Sequence, residues 1–359
     1  MLLKKKIQLY YKKIIQFFFL IIYGKIISQN KKLKSVIIEK INNINHLNVK
    51  KFNYKFYRIK NGRVFTNYVE TLAIISENFL IKDPSFQQVN GYLKKNYNET
   101  KITGTNKFLK KFNGNMLVLT QGASGHLNYA HWLFDIVPKI LIAKQKFNID
   151  KIDYYYFSKL TNFQKKILDL IKIDHKKFID ANKYRHVQAT NLLAVSHPNY
   201  FDKTVFFSHS VMPSWIIYSL RNLFIKKIKK KMFNRIFIDR SDSTQNHCKL
   251  INNKEIKKIL KRKKFRILKL SNYSFIEQVS IFNNCRMVVA VHGAGLANLV
   301  FCKKKTKVIE IIPKNINNKV YQRISKVNEL NYKSLKLDQI KNDNRGDVYL
   351  NTKQLNQYL

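Results

Sequence analysis

The chain has 359 residues, of which 45% are hydrophobic, so it is long enough for two domains and too apolar to be intrinsically disordered. Its formal net charge is +47, and the excess is mostly lysine spread along the whole chain. Such a charge is common in nucleic-acid-binding proteins. However, no zinc-finger spacing, aromatic RNA-binding stretch or basic region with heptads occurs, and this absence argues against a specific nucleic-acid binder. The charge favours an acidic substrate or an anionic membrane surface, and a basic nucleic-acid-binding protein remains the alternative.

The cysteines exclude two further classes of protein. Cys248, Cys285 and Cys302 are odd in number and contain no C-x-x-C pair. Neither a disulfide scaffold nor a zinc site is expected from this spacing. A reducing cytoplasm is the simplest setting for such a chain.

Residues 1–30 form a basic, apolar N-terminal segment. The apolar run at 14–23 is about half of the roughly 20 residues that a membrane-spanning helix needs. A secretory signal ranks lower, since no small-residue cleavage site follows closely. Two interpretations remain open, a basic amphipathic helix lying on a membrane surface and an ordinary helix packed on the protein body.

Residues 31–212 predict an N-terminal α/β domain. Its predicted strands are residues 73–75, 79–81, 116–119, 152–157 and 192–195, and its predicted helices are 131–147, interrupted by Pro138, and 163–171. Alternating strands and helices indicate parallel βαβ units. A boundary is expected near Pro213, after a polar stretch that begins at Pro198.

Residues 213–345 predict a Rossmann-like domain, followed by a polar tail at 346–359. The predicted strands are 235–239, 265–270, 287–291 and 307–312, and the predicted helices are 215–230, 254–260 and 275–282. This alternation is typical of a doubly wound α/β fold, in which ligands bind at the carboxyl ends of the strands.

A glycine turn follows the third of these strands. The turn contains His292, Gly293, Ala294 and Gly295, and Asn298 follows in the apolar segment that is expected to be helical. Backbone N–H groups and a helix N-terminus at one point suit a diphosphate. The third glycine of a dinucleotide motif and the Gly-Lys-Ser/Thr of a Walker motif are both missing, which argues against NAD and ATP. A tight strand–helix turn without a ligand is the alternative.

A second constellation lies at 128–138, with Asn128 and Tyr129 at its start. His131 and Asp135 are four residues apart and share a face of a helix. A histidine beside a carboxylate suits general-base work on a hydroxyl group. The alternative is an N-terminal cap with a structural His–Asp hydrogen bond. A metal site is not expected, because no H-E-x-x-H motif supplies further ligands.

Two further candidates lie at strand ends and inside a strand. Arg240 and Ser241 follow the first strand of the second domain, and an arginine can hold a diphosphate bidentately. Glu310 is an ionisable residue inside an apolar strand, where a sugar or ribose hydroxyl would satisfy it. The alternatives are a surface salt bridge for Arg240 with Asp239 or Asp242 and a structural hydrogen bond for Glu310.

The order of these motifs resembles glycosyltransferase family 61 over about residues 110–340. The matching stretches are Asn-Tyr-x-His-Trp-x-x-Asp-x-x-Pro at 128–138, Arg-Ser at 240–241, Val-His-Gly-Ala-Gly-Leu-x-Asn at 291–298 and Ile-Glu-Ile-x-Pro at 309–313. Lys249, Ile251 and Asn253 match the Arg-x-Ile-x-Asn of the family, with lysine in place of arginine. The family includes bacterial capsule and lipopolysaccharide enzymes as well as plant and animal sugar transferases.

The resemblance implies a GT-B fold, in which two Rossmann-like domains face each other across a cleft, and an inverting sugar transfer from a nucleotide-sugar, expected to be UDP-linked. On this basis 31–212 is the acceptor-side domain, with Asn128 and Tyr129 on the acceptor side, and 213–345 binds the donor. The donor-binding residues implied are His292, Gly293, Ala294, Gly295, Asn298, Arg240, Ser241, Lys249 and Glu310.

Inverting transfer needs a base for the acceptor hydroxyl and stabilisation of the departing nucleoside diphosphate. Asp135 is the predicted base, with His131 orienting it, and the reverse assignment stays open. No cofactor is expected, and metal-independent catalysis is predicted, since no D-x-D motif precedes the donor site. The predicted setting is envelope polysaccharide synthesis at the inner face of the cytoplasmic membrane, with a glycan or lipid-linked acceptor. A non-catalytic nucleotide-binding module on the same fold is a further alternative.

Overall fold

The structure is a computed structural model. It describes residues 2–66, 71–94, 97–120, 127–199, 202–228, 233–242, 248–340 and 346–359. The chain forms two compact units, Met1–Val205 and Phe206–Leu359, both of mixed α/β structure. The division between them falls a few residues before the predicted boundary at 212/213, inside the stretch from Pro198 to Pro213, where the chain forms the helix Val205–Ser210.

The first unit contains a large mixed sheet and a separate two-stranded sheet formed by residues 43–44 and 47–48. Its strands are β1 (Ile27–Ser28), β2 (Val36–Ile41), β3 (Asn43–Ile44), β4 (Leu47–Asn48), β5 (Tyr54–Lys60), β6 (Arg63–Phe65), β7 (Thr71–Ser76), β8 (Phe79–Leu80), β9 (Phe86–Val89), β10 (Tyr92–Lys94), β11 (Lys110–Val118), β12 (Tyr154–Phe157), β13 (Phe178–Asp180) and β14 (His186–Val195). Its helices are α1 (Leu2–Tyr23), α2 (Thr100–Thr103), α3 (Tyr129–His131), α4 (Val137–Lys144) and α5 (Asn162–Leu170), with 3₁₀ turns at Lys50–Phe52, Ile149–Lys151 and His175–Lys177.

Only the later half of this unit follows the predicted βαβ pattern. The strands β14, β11, β12 and β13 are parallel neighbours in that order, and helices connect β11 to β12 and β12 to β13. The earlier strands β5 and β6 pair antiparallel with β14 and extend the sheet. Antiparallel strands need only short connections, which explains the closely spaced apolar runs before residue 110.

Helix α1 is attached to the first unit at its C-terminal end. Phe19 is buried and lies edge-on to Phe108 with ring centroids 5.0 Å apart. The Tyr23 hydroxyl accepts a hydrogen bond from the Leu109 N–H at 3.0 Å, and its ring meets His186. Other residues of α1 leave large apolar side chains in solvent, among them Phe17 and Ile21. No helix in the described residues has the length and apolar character that a membrane span requires.

The second unit is a five-stranded parallel sheet flanked by helices. Its strands are β15 (Arg235–Ile238), β16 (Arg266–Leu268), β17 (Met287–Val291), β18 (Lys307–Pro313) and β19 (Asn331–Leu337). After α6 (Val205–Ser210) at the boundary come α7 (Ser214–Ile225), α8 (Asn253–Arg262), α9 (Phe275–Asn284), α10 (Val320–Val327) and α11 (Thr352–Asn356), with 3₁₀ segments at Leu270–Asn272 and Ala294–Phe301.

The spatial order of these strands is β16-β15-β17-β18-β19. In chain order within the unit this is 2-1-3-4-5, a doubly wound arrangement. The chain turns back between β15 and β17, and such a point opens a crevice at the carboxyl ends of the two strands. Arg240 follows β15 and His292 follows β17, so the topology places both at this point.

The polar tail predicted at 346–359 is wrong. Val348, Leu350 and Leu355 are buried in the core of the second unit, and Val348 bridges both Leu250 and Gln339. The error has a physical reason. Single apolar side chains spaced among polar ones give no clear helix or strand period, yet each is buried because the segment packs on the core of the second unit.

Candidate functional site

The first part of the site is the start of the helix at 129–144. Asn128 caps this helix, because its Oδ1 accepts hydrogen bonds from the N–H groups of Ala130 at 2.9 Å and His131 at 3.3 Å. Such a cap stabilises a helix start by about 1 kcal/mol. Tyr129 lies against Phe163 with ring centroids 5.8 Å apart. His131 is therefore held on the first turn of a fixed helix.

His131 and Asp135 form the pair that their spacing predicts. Nδ1 of His131 is 2.7 Å from Oδ2 of Asp135. Asp135 is only 1% exposed, and its other oxygen accepts a hydrogen bond from Nδ2 of Asn199. The side chain of His131 is 13% exposed. The carboxylate is thus enclosed by its hydrogen-bond partners, whereas the imidazole has the more accessible position.

The helix widens to a π-helical turn at Trp132–Ile136, directly before Pro138. Proline has no N–H, so it cannot bond to the carbonyl group four residues earlier, which belongs to Phe134. Nδ2 of Asn199 donates to that carbonyl at 3.3 Å as well as to Asp135. The sequence predicted that Pro138 interrupts the helix, but the helix continues through it. Pro138 instead makes the Phe134 carbonyl available to hold Asn199 beside the His131–Asp135 pair.

Lys139 is a buried lysine one helical turn beyond Asp135. It is 2% exposed, and its Nζ donates to the backbone oxygen of Thr120 at 3.0 Å and lies over the Phe86 ring. Burial lowers the pKa of Lys139 from 10.5 to about 7, and the charge of Asp135 opposes this shift. A buried ammonium group beside a reactive carboxylate is typical of a functional site.

The lowered pKa of Lys139 predicts a pH dependence of stability. Between about pH 7 and pH 10.5 the unfolded chain binds the proton that the folded chain has lost, so this group makes stability rise with pH. Lys139→Met should remove this slope, which amounts to about 5 kcal/mol at most for the whole shift. Urea unfolding at pH 6.5 and pH 9.5 measures the change.

The matched control is Lys144→Met, at the exposed end of the same helix. It should unfold with the pH dependence of the unchanged protein. An equal slope for Lys139→Met and the unchanged protein would contradict the shifted pKa.

The second part of the site lies where β15 and β17 end. Ile238 pairs with Ala290, so Arg240 and His292 both lie two residues beyond that pair. Nη1 of Arg240 donates to the backbone oxygen of His292. The guanidinium group also covers the turn, since a Cβ placed on Gly293 would lie 2.5 Å from Cζ of Arg240.

Arg240 does not form the alternative that the sequence left open, a surface salt bridge with Asp239 or Asp242. Asp239 instead binds Lys257 Nζ at 2.9 Å and Asn253 Nδ2 at 3.1 Å, and Asp242 accepts from the Ser271 N–H. Burial raises the pKa of Asp239. The hydrogen bonds that Asp239 accepts from Lys257, Asn253 and the Ser241 N–H outweigh burial and hold its pKa below the ordinary value. Among the described residues Arg240 makes no ion pair, so its charge is available to an anion.

Glu310 is the hydrogen-bond partner of the buried ring nitrogen of His292. Its Oε1 is 2.5 Å from Nδ1 of His292, and its Oε2 accepts a hydrogen bond from the Tyr332 hydroxyl. Glu310 is completely buried, as expected of a residue opposite Ala290 in the centre of the sheet. The carboxylate contacts His292 from inside the unit, so any effect on a ligand passes through the imidazole.

The glycine turn itself is held from the helix side. The Tyr321 hydroxyl donates to the Gly293 oxygen at 2.7 Å, and its ring lies 5.3 Å from the His292 ring. The segment Ala294–Phe301 that follows is a 3₁₀ helix. Asn298 is fully buried and donates to Gln278 Oε1 and to the Gly295 oxygen, so it braces the turn from within.

The two remaining predicted donor residues are exposed at the edge of this region. The Ser241 N–H donates to Asp239 at 3.2 Å, and the Lys249 N–H donates to Asp347 at 2.8 Å. Their side chains lie in solvent.

Four residues of the two clusters were not found from the sequence. Asn199 follows β14, Lys139 lies among apolar helix residues, and Tyr321 and Tyr332 lie on α10 and β19. A polar residue within an apolar run was the available signal for Lys139. The tyrosines carried none, because an aromatic ring at such a position is ordinary core.

The fold and the two clusters define an α/β protein with Arg240 and the glycine turn at the switch point of one doubly wound unit and a histidine–carboxylate pair in its other unit. A family model described as Glycosyltransferase 61 matches residues 129–309, which include His131, Asp135, Arg240 and the glycine turn. The chain belongs to glycosyltransferase family 61, which confirms the resemblance, and it is a glycosyltransferase. No curated protein matches the chain.

Proposed function

We propose that this glycosyltransferase moves a sugar, with inversion, from a UDP-linked donor to a glycan or lipid-linked acceptor in cell-envelope polysaccharide synthesis. The observation that carries the reaction type is the 2.7 Å contact between His131 Nδ1 and Asp135 Oδ2 on a capped helix. We also propose the GT-B arrangement of the two units, with the donor held mainly by the second.

In this proposal His131 takes the proton from the acceptor hydroxyl. Asp135 accepts from His131 and from Asn199 and is almost fully buried, which suits an orienting carboxylate better than a group that meets the acceptor. The carboxylate stabilises the imidazolium that forms when His131 binds the proton. The oxygen of the acceptor then attacks the anomeric carbon as the bond to the diphosphate breaks.

The departing nucleoside diphosphate needs positive charge and N–H donors. Arg240 at the switch point and the backbone of the glycine turn at 293–295 supply both, and this supports catalysis without a metal ion. His131 and Asp135 are also ligand types that divalent cations bind, so the metal question has a direct test.

A panel of nucleotide-sugars tests the donor and the metal together. We expect one UDP-sugar to raise the melting temperature selectively, because a ligand that binds only the folded state stabilises it. The stabilisation and the transfer activity should persist in EDTA. Loss of transfer in EDTA that Mn²⁺ restores would contradict metal independence, and failure of every nucleotide-sugar to bind would contradict the donor site.

We further propose that α1 lies on an anionic membrane surface, at the inner face of the cytoplasmic membrane. Phe17 is 64% and Ile21 71% exposed, and the two lie one turn apart on α1, whose Phe19 and Tyr23 contact the first unit. Residues 1–38 contain nine lysines and no acidic residue, which complements anionic lipid and disfavours pairing of two such helices.

Serine substitutions on this helix should weaken membrane binding. Phe17→Ser with Ile21→Ser should reduce cosedimentation with vesicles of phosphatidylglycerol and phosphatidylcholine by at least tenfold, since each side chain contributes about 1.5–3 kcal/mol when buried in lipid. Ile37→Ser is the matched control, because Ile37 is 59% exposed on β2, and it should bind as the unchanged protein does. Equal binding to vesicles without phosphatidylglycerol would argue against the anionic surface.

A further inference from the structure

The loop that leads into β11 presents an aromatic side chain to solvent on a fixed backbone. Nδ1 of the buried His186 donates to the Lys107 oxygen at 2.9 Å, and the Leu109 N–H donates to the Tyr23 hydroxyl at 3.0 Å. Between these two anchored residues the side chain of Phe108 is 74% exposed. The backbone around Phe108 is therefore held by the first unit, while its ring stands outside.

Phe108 continues the exposed apolar surface of α1. Its ring lies edge-on to Phe19 with centroids 5.0 Å apart, and Phe18 lies edge-on to the same ring at 5.3 Å. Phe18 is 50% exposed, and Ile22, one turn further along α1, is 47% exposed. Single exposed apolar side chains are ordinary on a protein surface, whereas a contiguous group of them marks an interaction site. The loop and α1 thus form one apolar surface.

Positive charge surrounds this surface. Residues 100–111 contain four lysines and no acidic residue. Three of these lysines, Lys107, Lys110 and Lys111, are exposed beside Phe108. An anionic bilayer fits both features, because its headgroups attract the lysines and its interface accommodates apolar and aromatic side chains. A second copy of the chain fits them poorly, since two such surfaces would bring like charges together.

We propose, resting on the proposed membrane role of α1, that the loop at 107–111 is a second membrane contact. Phe108 inserts at the headgroup level of an anionic bilayer, and the three lysines bind the lipid phosphates around it. A single surface helix leaves the attached protein free to rotate about the helix axis. A second contact, on the body of the first unit, fixes that unit in one orientation on the bilayer.

This membrane contact is remote from the catalytic pair. His186, which holds the loop, begins β14, and Asn199, which holds Asp135, follows the end of that strand. A strand of this length, His186–Val195, spans about 30 Å. Substitutions in the loop should therefore change lipid binding without contact with the pair.

A tryptophan at position 108 reports whether the loop enters the bilayer. The two native tryptophans, Trp132 and Trp215, are buried and give a constant background. With vesicles of phosphatidylglycerol and phosphatidylcholine, the emission of Phe108→Trp should shift to shorter wavelength, and brominated acyl chains should quench it. Asn162→Trp is the control, because Asn162 is exposed at the start of α5, beyond the carboxyl end of β12, and its emission should do neither.

Binding of the same vesicles by unlabelled variants gives a second measurement. Phe108→Ser should reduce cosedimentation at least fivefold, and Phe108→Leu, which keeps an apolar side chain, should restore most of it. Lys110→Gln with Lys111→Gln should also reduce it at least fivefold, and only on vesicles that contain phosphatidylglycerol. The melting temperatures should stay unchanged, because all three side chains are exposed.

Vesicle binding by Phe108→Trp without a shift or quenching of its emission would overturn this proposal alone and leave the role of α1 intact. A shift that grows with protein concentration in the absence of lipid would also overturn it, since the surface would then join two copies of the chain. Absence of vesicle binding by the unchanged protein would overturn the membrane role of α1 and this proposal with it.

Discussion

His131→Ala and Asp135→Asn should each lower the rate of sugar transfer by about 10²- to 10⁴-fold, the usual contribution of a general base and its orienting partner. Asp135→Asn removes the negative charge that stabilises the imidazolium but keeps the size of the side chain. The loss should therefore fall on kcat, with the affinity for the donor nucleotide unchanged. Product formation under saturating donor and UDP titration measure the two effects separately.

The first unit contains a matched control for this pair. Nδ1 of His175 lies 2.9 Å from Oδ1 of Asp169, but this pair is much more exposed than the first, with His175 half-buried and Asp169 exposed at the end of α5. His175→Ala and Asp169→Asn should leave transfer within about twofold of the unchanged protein, because exposed pairs contribute little. Near-normal transfer by both His131→Ala and Asp135→Asn would rule out the pair as the catalytic base.

Gly293→Ala should weaken UDP binding by at least tenfold. The φ angle of Gly293 is 163°, which is extended backbone that any residue adopts, so the effect comes from contact rather than from strain. The added Cβ would lie 2.5 Å from Cζ of Arg240, whose guanidinium is held by the His292 oxygen. Arg240 must then leave the position from which it meets an anion, and UDP titration measures the loss.

Gly295→Ala is the control in the same turn. Its Cβ would lie 2.8 Å from Cδ1 of Leu270, the flexible end of an apolar side chain, and at ordinary contact distance, 3.7 Å, from Cγ2 of Ile238. We expect a small loss of stability and a UDP affinity within about threefold of the unchanged protein. Equal UDP affinity for Gly293→Ala and the unchanged protein would show that Arg240 does not contact the diphosphate.

The sequence predicted those parts of the structure that local periodicity and spacing determine. Strand β17 was placed at 287–291 with the bounds that it has, and the spacing of His131 and Asp135 gave their contact. The antiparallel half of the first sheet and the buried segment at 346–359 were missed, because both depend on partners far away in the chain.

The residues of the candidate site also divide into those that local spacing predicts and those that depend on distant partners. Asn199 lies 64 residues from Asp135, and Tyr332 lies 40 residues from His292, so no periodic pattern joins them. The role of Glu310 was left between a sugar hydroxyl and a structural bond, because a sequence does not tell which face of a buried strand meets its neighbour. The contact with His292 depends on the register of β17 and β18.

The hydrogen bonds of Tyr332, Glu310 and His292 run across the strands, whereas the family match runs along the chain and ends at residue 309. A fragment cut at the end of the matched region would keep His292 and the whole glycine turn. It would lose most of β18, all of β19 and α10, and with them every side chain that fixes the imidazole. Fragments for expression should therefore be bounded by the packing of the second unit, through Leu355, rather than by the limits of sequence similarity.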